Sequence, residues 1–259
     1  MKHTFFKYQG TGNDFVMIDN RQNIFDKNNT KLIAHLCDRR FGIGADGLIL
    51  LENDQETDFK MVYFNADGNQ SSMCGNGGRC IVHFANYLGI INYEATFMAI
   101  DGLHKAKIVG NEIHLKMQDV LSVEKHQDYV FLNTGSPHHI ELCQNVNQLN
   151  VKEEGSKIRY SDLYNEVGSN VNFVEKIDAS NFKARTYERG VEDETLSCGT
   201  GVTAVALAMH YIGETEKNVL TIDTKGGVLS VSFEQSNGAY YNIWLIGPAT
   251  QVYKGEIEW

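Results

Sequence analysis

Cys74 and Cys198 are each followed by a glycine-rich step of the form Cys-Gly-x-Gly. Glycines after such a cysteine let backbone N–H groups point into open space at the start of a helix, where the helix dipole favours an anion. This position lowers the pKa of a thiol from about 8.5, and it suits a substrate carboxylate equally well. A base on one face of a carbon acid and an acid on the other are what racemisation or epimerisation requires.

The two cysteines belong to an internal repeat. A gapless shift of the chain by 124 residues superposes Tyr63 on Tyr187, Cys74 on Cys198, Gly75 on Gly199, Gly77 on Gly201, Tyr87 on Tyr211, Gly89 on Gly213 and Gly102 on Gly226. Each copy reads as strand, polar loop, Cys-Gly-x-Gly, buried helix, glycine stop and further strands. The repeat predicts two similar halves whose helix starts face each other across a cleft.

Periodicity predicts the elements that position these cysteines. Strands are expected at Phe15–Ile18, Leu48–Leu51, Phe59–Phe64, Ile113–Met117, Asn172–Glu175, Ala184–Tyr187, Val228–Phe233 and Ile243–Ile246. Helices are expected at Lys31–Asp38, Arg79–Leu88 and Gly201–Tyr211. The second half of the chain carries a run, Val202–Met209, that is apolar on nearly every face, so its helix should be buried all round. We therefore expect an α+β fold of two pseudo-symmetric domains, each a mixed β-sheet wrapped around a buried central helix.

Composition excludes several classes of function. The net charge is -10 and the sequence has no basic stripe, which argues against non-specific binding of nucleic acid. Five cysteines without an export signal indicate free thiols in the cytoplasm, and no apolar run approaches the about 20 residues needed to span a membrane. The spacing of Cys and His does not suit a metal site, Cys-x-x-Cys is absent, and no nucleotide-binding fingerprint occurs. We expect no metal and no cofactor.

Seven motifs together resemble the diaminopimelate epimerase family over essentially the whole chain. They are Gly10-Thr-Gly-Asn-Asp-Phe15, Arg40-Phe-Gly-Ile-Gly-Ala-Asp-Gly47, Phe64-Asn-Ala-Asp-Gly68, Met73-Cys-Gly-Asn-Gly-Gly-Arg-Cys80, Tyr187-Glu-Arg-Gly190, Ser197-Cys-Gly-Thr-Gly201 and Gly247-Pro-Ala-Thr250. The resemblance implies the fold of that family, with one domain over residues 1–118, joined by a returning strand at 249–259, and another over 119–248. It also implies a homodimer that interconverts LL- and meso-2,6-diaminopimelate without a cofactor.

The resemblance also assigns site residues. For the LL substrate it makes Cys74 the proton acceptor and Cys198 the proton donor. The reacting carboxylate is held at the two helix starts by Gly75, Asn76, Gly199 and Thr200. The rest of the site is lined by Asn13, Asn65, Asn172, Glu188 and Arg189. Arg189 can form a bidentate pair with the distal carboxylate, and Glu188 can receive an ammonium group.

Two positions depart from the family pattern. Ser136 stands where many members carry an asparagine expected to touch substrate, and its shorter hydroxyl can act through a water. Gly47 stands where some members carry glutamine. His138 matches a family histidine thought to assist near the reacting centre, although a generic loop histidine fits equally well.

Two other functions stay open at the level of sequence. One is another amino-acid racemase of the same fold, acting on proline or hydroxyproline. Such an enzyme has a cyclic substrate with no distal carboxylate for Arg189. The other is a non-catalytic protein that binds an amino acid without exchanging its α-proton.

Overall fold

A computed structural model describes residues 2–259 of the chain and divides into two compact units. The first unit runs as far as Leu115 and includes Gly247–Trp259, and the second is Lys116–Ile246. The described residues form β1 Lys2–Gly10, β2 Asn13–Asp19, α1 Thr30–Cys37, β3 Gly47–Glu52, β4 Phe59–Asn65, α2 Gly75–Tyr87, β5 Glu94–Ala99, β6 Gly102–Val109, β7 Glu112–Lys116, β8 Val123–Lys125, β9 Val130–Asn133, β10 Pro137–Leu142, α3 Val151–Arg159, β11 Asn170–Lys176, β12 Asn181–Glu188, β13 Asp193–Thr195, α4 Gly199–Tyr211, β14 Val219–Thr224, β15 Gly227–Ser236, β16 Ala239–Gly247 and β17 Thr250–Glu258. None of the helices in residues 2–259 combines the length and the apolar character needed to span a bilayer.

The first unit is a mixed sheet in the order β17, β1, β2, β3, β4, β5, β6, β7. Strand β2 is parallel to β3 and β4 to β5, and the other neighbours are antiparallel. Helix α2 packs on one face, where Phe84 contacts the rings of Phe6 and Tyr8. Helix α1 covers a separate apolar cluster that includes Ile33 and Leu50.

The second unit repeats this plan in the order β9, β10, β11, β12, β14, β15, β16. Here β10 is parallel to β11 and β12 to β14, so the sequence of antiparallel and parallel neighbours is that of β1 to β7. Helix α4 is buried along nearly its whole length, as its all-round apolar sequence requires. The predicted α+β fold of two pseudo-symmetric halves, each around a central helix, is confirmed.

The two central helices match each other in length and position. Each has 13 residues, and each begins directly after a cysteine that occupies the N-cap. Both begin earlier than periodicity predicts, because glycines weaken the helical signal of the first turn. Close packing explains why the glycines are needed: a Cβ at Gly78 would lie 2.9 Å from Leu115 Cδ2, and one at Gly201 would lie 2.6 Å from Asn172 Oδ1.

Helix α3 is the α-helix that the sequence prediction missed, and strands β1, β5, β6, β8, β9, β10, β13 and β14 were also not predicted. It begins after Asn150, whose side chain accepts a hydrogen bond from Glu153 N, and it packs on β11 and β12. A glycine in its middle, Gly155, weakens the helical pattern. This glycine is needed because a Cβ there would lie 2.3 Å from Tyr187 Cβ.

Candidate active site

Cys74 caps helix α2 with its own sulfur. Its Sγ accepts a hydrogen bond from Gly77 N at 3.2 Å, the role that Ser, Thr or Asp usually performs at an N-cap. Asn76, in the first turn, directs its Nδ2 toward Asn13 Oδ1 at 3.4 Å, and that oxygen lies 3.8 Å from Cys74 Sγ. Three predicted site residues therefore meet at this helix start, together with the backbone of Gly75.

A network of charged residues fixes the amide of Asn13. Asn13 Nδ2 donates to Asp46 Oδ2 at 2.7 Å, which leaves Oδ1 turned toward Cys74. Arg39 joins Asp46 to Asp14, and Lys7 pairs with Asp14 at 2.6 Å. Burial raises the pKa of the Asp14 carboxyl, but hydrogen bonds from Arg39 and Lys7 outweigh it and lower that pKa to about 2. Asp46 was not predicted as a site residue, although it lies within a family motif.

Cys198 begins helix α4 beside a chain of buried polar groups. Its Sγ lies 3.4 Å from Thr200 Oγ1, which lies 3.0 Å from His138 Nε2. The amide nitrogen of Asn172 donates one of its two protons to His139 O. Its other proton is donated to His138 Nδ1, at 3.1 Å. The neutral imidazole therefore carries its proton on Nε2 and donates it to Thr200, whose hydroxyl shares a hydrogen bond with the sulfur of Cys198 in which either atom can donate.

His138 is fully buried and uncharged at neutral pH. Burial, reinforced by the positive charge of Arg189, lowers its pKa to about 3. Both nitrogens of this neutral imidazole are used in hydrogen bonds, to Thr200 and to Asn172. His138 therefore lies where it can orient the hydroxyl of Thr200.

A pH-dependent loss of stability is expected from His138. Its pKa is about 3 when folded and about 6.5 when unfolded, so its stabilisation is complete above about pH 6.5 and is lost as pH falls toward 3. Between about pH 7 and 5.5 the free energy of unfolding should fall by roughly 1 kcal/mol from this residue. Urea denaturation at the two pH values should show this fall in the free energy of unfolding for the unsubstituted protein but not for His138→Gln. An equal fall in both proteins would exclude His138 as its source.

Arg189 lies just after β12, with polar partners in the second unit. Its guanidinium donates to Val167 O at 3.0 Å and lies 3.5 Å from Ser136 Oγ, and its backbone N donates to Asn170 Oδ1 at 3.0 Å. Asn170 Nδ2 also donates to Ser136 Oγ at 2.9 Å. The Ser136 hydroxyl thus contacts Arg189 and Asn170 directly. Glu188 is half-buried at the end of β12.

The structure separates two asparagines that the sequence does not distinguish. Asn172 is completely buried, and its amide is used by His138, His139 and Thr186. Asn170, which was not predicted, is the one beside Ser136 and Arg189. The two are neighbours on one face of β11, and only their position along the strand could have told them apart.

Asn65 is exposed at the end of β4, opposite Gly47 in the ladder. The absence of a side chain at residue 47 has a steric cause. A Cβ there would lie 2.5 Å from Phe64 O and 2.6 Å from Tyr63 Cε2. The Tyr63 ring occupies the space that a glutamine side chain at this position would need, which explains why glycine stands here.

All five cysteines are free thiols. Burial raises the pKa of Cys37 and of Cys80 to about 12, and it also raises the pKa of Cys143. These three side chains stay protonated at neutral pH and serve as packing. Among residues 2–259, no three His, Cys, Asp or Glu side chains are grouped so that they could hold a metal ion.

Comparison with known proteins identifies the family. A family model described as diaminopimelate epimerase matches residues 5–118 and 130–252. The chain belongs to the diaminopimelate epimerase family. A diaminopimelate epimerase of Flavobacterium psychrophilum is 63% identical over 253 residues, which cover 97% of this chain and 99% of that protein. One of Chlorobaculum tepidum is 43% identical, covering 96% of this chain and 98% of that protein.

Solved structures show that the fold extends beyond close relatives of the family. A phenazine biosynthesis protein of the PhzF family from Bacillus anthracis superposes with a TM-score of 0.80 at 13% identity, with complete coverage of both chains. A hydroxyproline epimerase from Agrobacterium vitis superposes with a TM-score of 0.70 at 12% identity, covering 99% of this chain and 92% of that chain. At such identities the likeness concerns the fold alone.

Proposed function

We propose that this protein interconverts LL- and meso-2,6-diaminopimelate by passing protons through Cys74 and Cys198. One observation carries the proposal: each cysteine stands at the start of a 13-residue helix in one of two matching halves. Membership of the diaminopimelate epimerase family supports the substrate. The hydroxyproline epimerase shares only the fold, at 12% identity, and so does not favour a cyclic substrate.

The reaction moves one proton off a carbon and another onto its opposite face. The Cys74 thiolate takes the α-proton of the LL substrate, and the electron pair of the C–H bond passes into the carboxylate as an enediolate. The Cys198 thiol then protonates the α-carbon from the other side and becomes a thiolate. The reverse reaction uses Cys198 as base and Cys74 as acid, and a return to the starting form exchanges protons with solvent.

The main barrier is the weak acidity of the α-proton. A gap of about ten pK units between this proton and a thiol corresponds to roughly 14 kcal/mol. Donors aimed at the carboxylate offset this cost if they bind more strongly as the enediolate gains charge. We assign this role to the first turns of α2 and α4, with Gly75, Asn76, Gly199 and Thr200. His138 keeps the hydroxyl of Thr200 oriented.

The distal end of the substrate is assigned to charged and amide side chains. Arg189 binds the distal carboxylate, and Ser136 and Asn170 hold its guanidinium and its backbone. Glu188 receives an ammonium group and Asn65 supplies a further polar contact, whereas Asn13 contacts the substrate from its place beside Cys74. Asn172 lines the same site and orients His138. These roles follow from the charges of diaminopimelate, which carries two carboxylates and two ammonium groups.

Proton NMR in deuterium oxide tests the function. With LL-diaminopimelate, the α-proton signal should disappear at the rate at which the meso isomer forms, whereas L-proline should keep its α-proton. Racemisation of proline in place of diaminopimelate would show a cyclic substrate. Binding of diaminopimelate without loss of its α-proton would show a non-catalytic binding protein.

The proposal extends to location and assembly. An enzyme that depends on two free thiols is compatible with the reducing cytoplasm. We also propose a homodimer, for which light scattering should give twice the chain mass of 29.1 kDa.

A further inference from the structure

Arg79 is a completely buried cation in helix α2. Its side chain makes four hydrogen bonds, to Pro248 O, Gly75 O, Thr11 Oγ1 and Asn76 Oδ1, at 3.0 to 3.3 Å. None of these acceptors is a carboxylate. A buried guanidinium without a carboxylate partner is costly, and such groups concentrate at functional sites.

Two of these hydrogen bonds act on the helix start beside Cys74. The bond to Gly75 O holds the first peptide of the helix, and the bond to Asn76 Oδ1 fixes which way that amide faces. Because the oxygen of Asn76 is turned inward to Arg79, its Nδ2 is turned outward to Asn13. Arg79 therefore aims a donor of the first turn toward the site.

Arg79 also supplies positive charge. Burial lowers its pKa to about 10, against opposing effects of Cys80 and Cys74, so the guanidinium stays charged at neutral pH. Cys80 is itself buried, with a pKa raised to about 12, and remains a neutral thiol. The thiolate of Cys74 is then the acidic group that this charge can stabilise.

Other ionisable side chains lie on the strands that pack against α2 and on α2 itself. They include Tyr8 and Lys7 of β1, Asp14 of β2, Glu52 of β3, His104 of β6, Lys254 of β17 and His83 of α2. Lys7 pairs with Asp14, and Tyr8 bonds to His83. None of them is a hydrogen-bond partner of Arg79.

The second unit has no such cation at the matching place. The residue 124 positions after Arg79 is Thr203, whose Oγ1 bonds to Gly199 O at 3.0 Å, just as Arg79 bonds to Gly75 O. The backbone contact is conserved between the halves, but the charge is not. The two cysteines therefore begin their helices in unlike electrostatic surroundings.

We propose that Arg79 is a positioning residue that holds Cys74 as the resting thiolate and Asn76 in its donor orientation, so that the resting enzyme has Cys74 as base and Cys198 as acid. The inference rests on the proposed function, because it assigns unequal roles to the two thiols of that reaction.

The test measures the pKa of Cys74 by ultraviolet thiolate absorbance in a Cys198→Ser background. Arg79→Met should raise this pKa by about one unit or more, which lowers the thiolate fraction near neutral pH about tenfold. With both cysteines present, the acid limb of the kcat/KM profile should move upward by the same interval. The matched change Thr203→Val removes the corresponding backbone contact without moving a charge, and it should leave the pKa of Cys74 unchanged.

Arg79→Lys separates the two parts of the role. Lysine keeps the positive charge but lacks the several N–H donors of the planar guanidinium. KM should therefore rise while the pKa of Cys74 stays low. An unchanged pKa of Cys74 in folded Arg79→Met overturns the inference while leaving the proposed function standing.

A second measurement does not require an Arg79 variant to fold. Iodoacetamide alkylation of Cys74 in Cys198→Ser, and of Cys198 in Cys74→Ser, can be followed against pH by peptide mass spectrometry. The midpoint for Cys74 should lie at the lower pH. Coincident midpoints, or a lower one for Cys198, also overturn the inference, and neither result bears on whether the two thiols catalyse epimerisation.

Discussion

Cys74→Ser is expected to lower kcat for epimerisation at least about 10³-fold while leaving the protein folded. Serine is preferred to alanine as the replacement because its oxygen can still accept the hydrogen bond from Gly77 N that caps helix α2. Its hydroxyl is not ionised near neutral pH and cannot take the α-proton. Loss of activity with unchanged thermal unfolding would therefore separate proton transfer from helix capping.

Cys143→Ser is the matched control. Cys143 is half-buried just after β10, and its thiol has a raised pKa. The same change of sulfur to oxygen at Cys143 should leave kcat within about twofold of that of the unsubstituted protein, because this side chain is half-buried and serves only in packing. Substantial residual activity in Cys74→Ser would contradict the two-thiol reaction.

The two single variants should also differ in which isomer they label. In deuterium oxide, Cys198→Ser keeps the base for the LL substrate and should exchange its α-proton with retention of configuration. Cys74→Ser keeps the base for the opposite configuration and should exchange only the meso isomer. Exchange of both isomers by one variant would mean that a single residue serves both faces.

Arg189→Met is expected to lower kcat/KM for diaminopimelate about 100-fold. A hydrogen bond to a charged group contributes about 1.5 to 3 kcal/mol, and a bidentate pair reaches the upper end of that range. The guanidinium is already held by Val167 O and Ser136, so little ordering is needed when the carboxylate binds. Most of the loss should therefore appear as a raised KM.

Substrate analogues make this test specific. Lysine lacks the distal carboxylate, so the slow turnover or weak binding of lysine should change little in Arg189→Met. Arg21→Met removes the same charge from the ion pair with Asp19 in the first unit and serves as the control. An equal loss for diaminopimelate and lysine would place Arg189 at the reacting end of the substrate or in a purely structural role.

The internal repeat predicts more of the fold than local periodicity does. Shifting α1, Thr30–Cys37, by 124 residues gives 154–161, which overlaps the unpredicted α3 at Val151–Arg159. Periodicity missed α3 because Gly155 and its neighbouring charges weaken the helical pattern. The glycine is required by contact with Tyr187, which is distant in sequence.

The limits of the site prediction have a similar origin. Motifs locate Cys74 and Cys198, because glycine after cysteine has a local meaning at a helix start. They do not show that Asn172 is buried against His138 while Asn170 bonds to Arg189, since both asparagines lie on one strand face. Nor do they show that Arg79 is buried, because an arginine side chain in a sequence gives no sign of what packs around it.

The place of β17 in the first unit affects how the chain folds during synthesis. The second unit, Lys116–Ile246, is continuous in sequence, so all of its strands are synthesised before β17. The sheet of the first unit is incomplete until β17 pairs with β1 over Lys2 to Gln9, although β1 is synthesised long before. Until then β1 presents an open edge of the kind that recruits other strands. The half that carries Cys74 therefore completes its sheet only after the whole of the other half has been synthesised, even though the two share one plan.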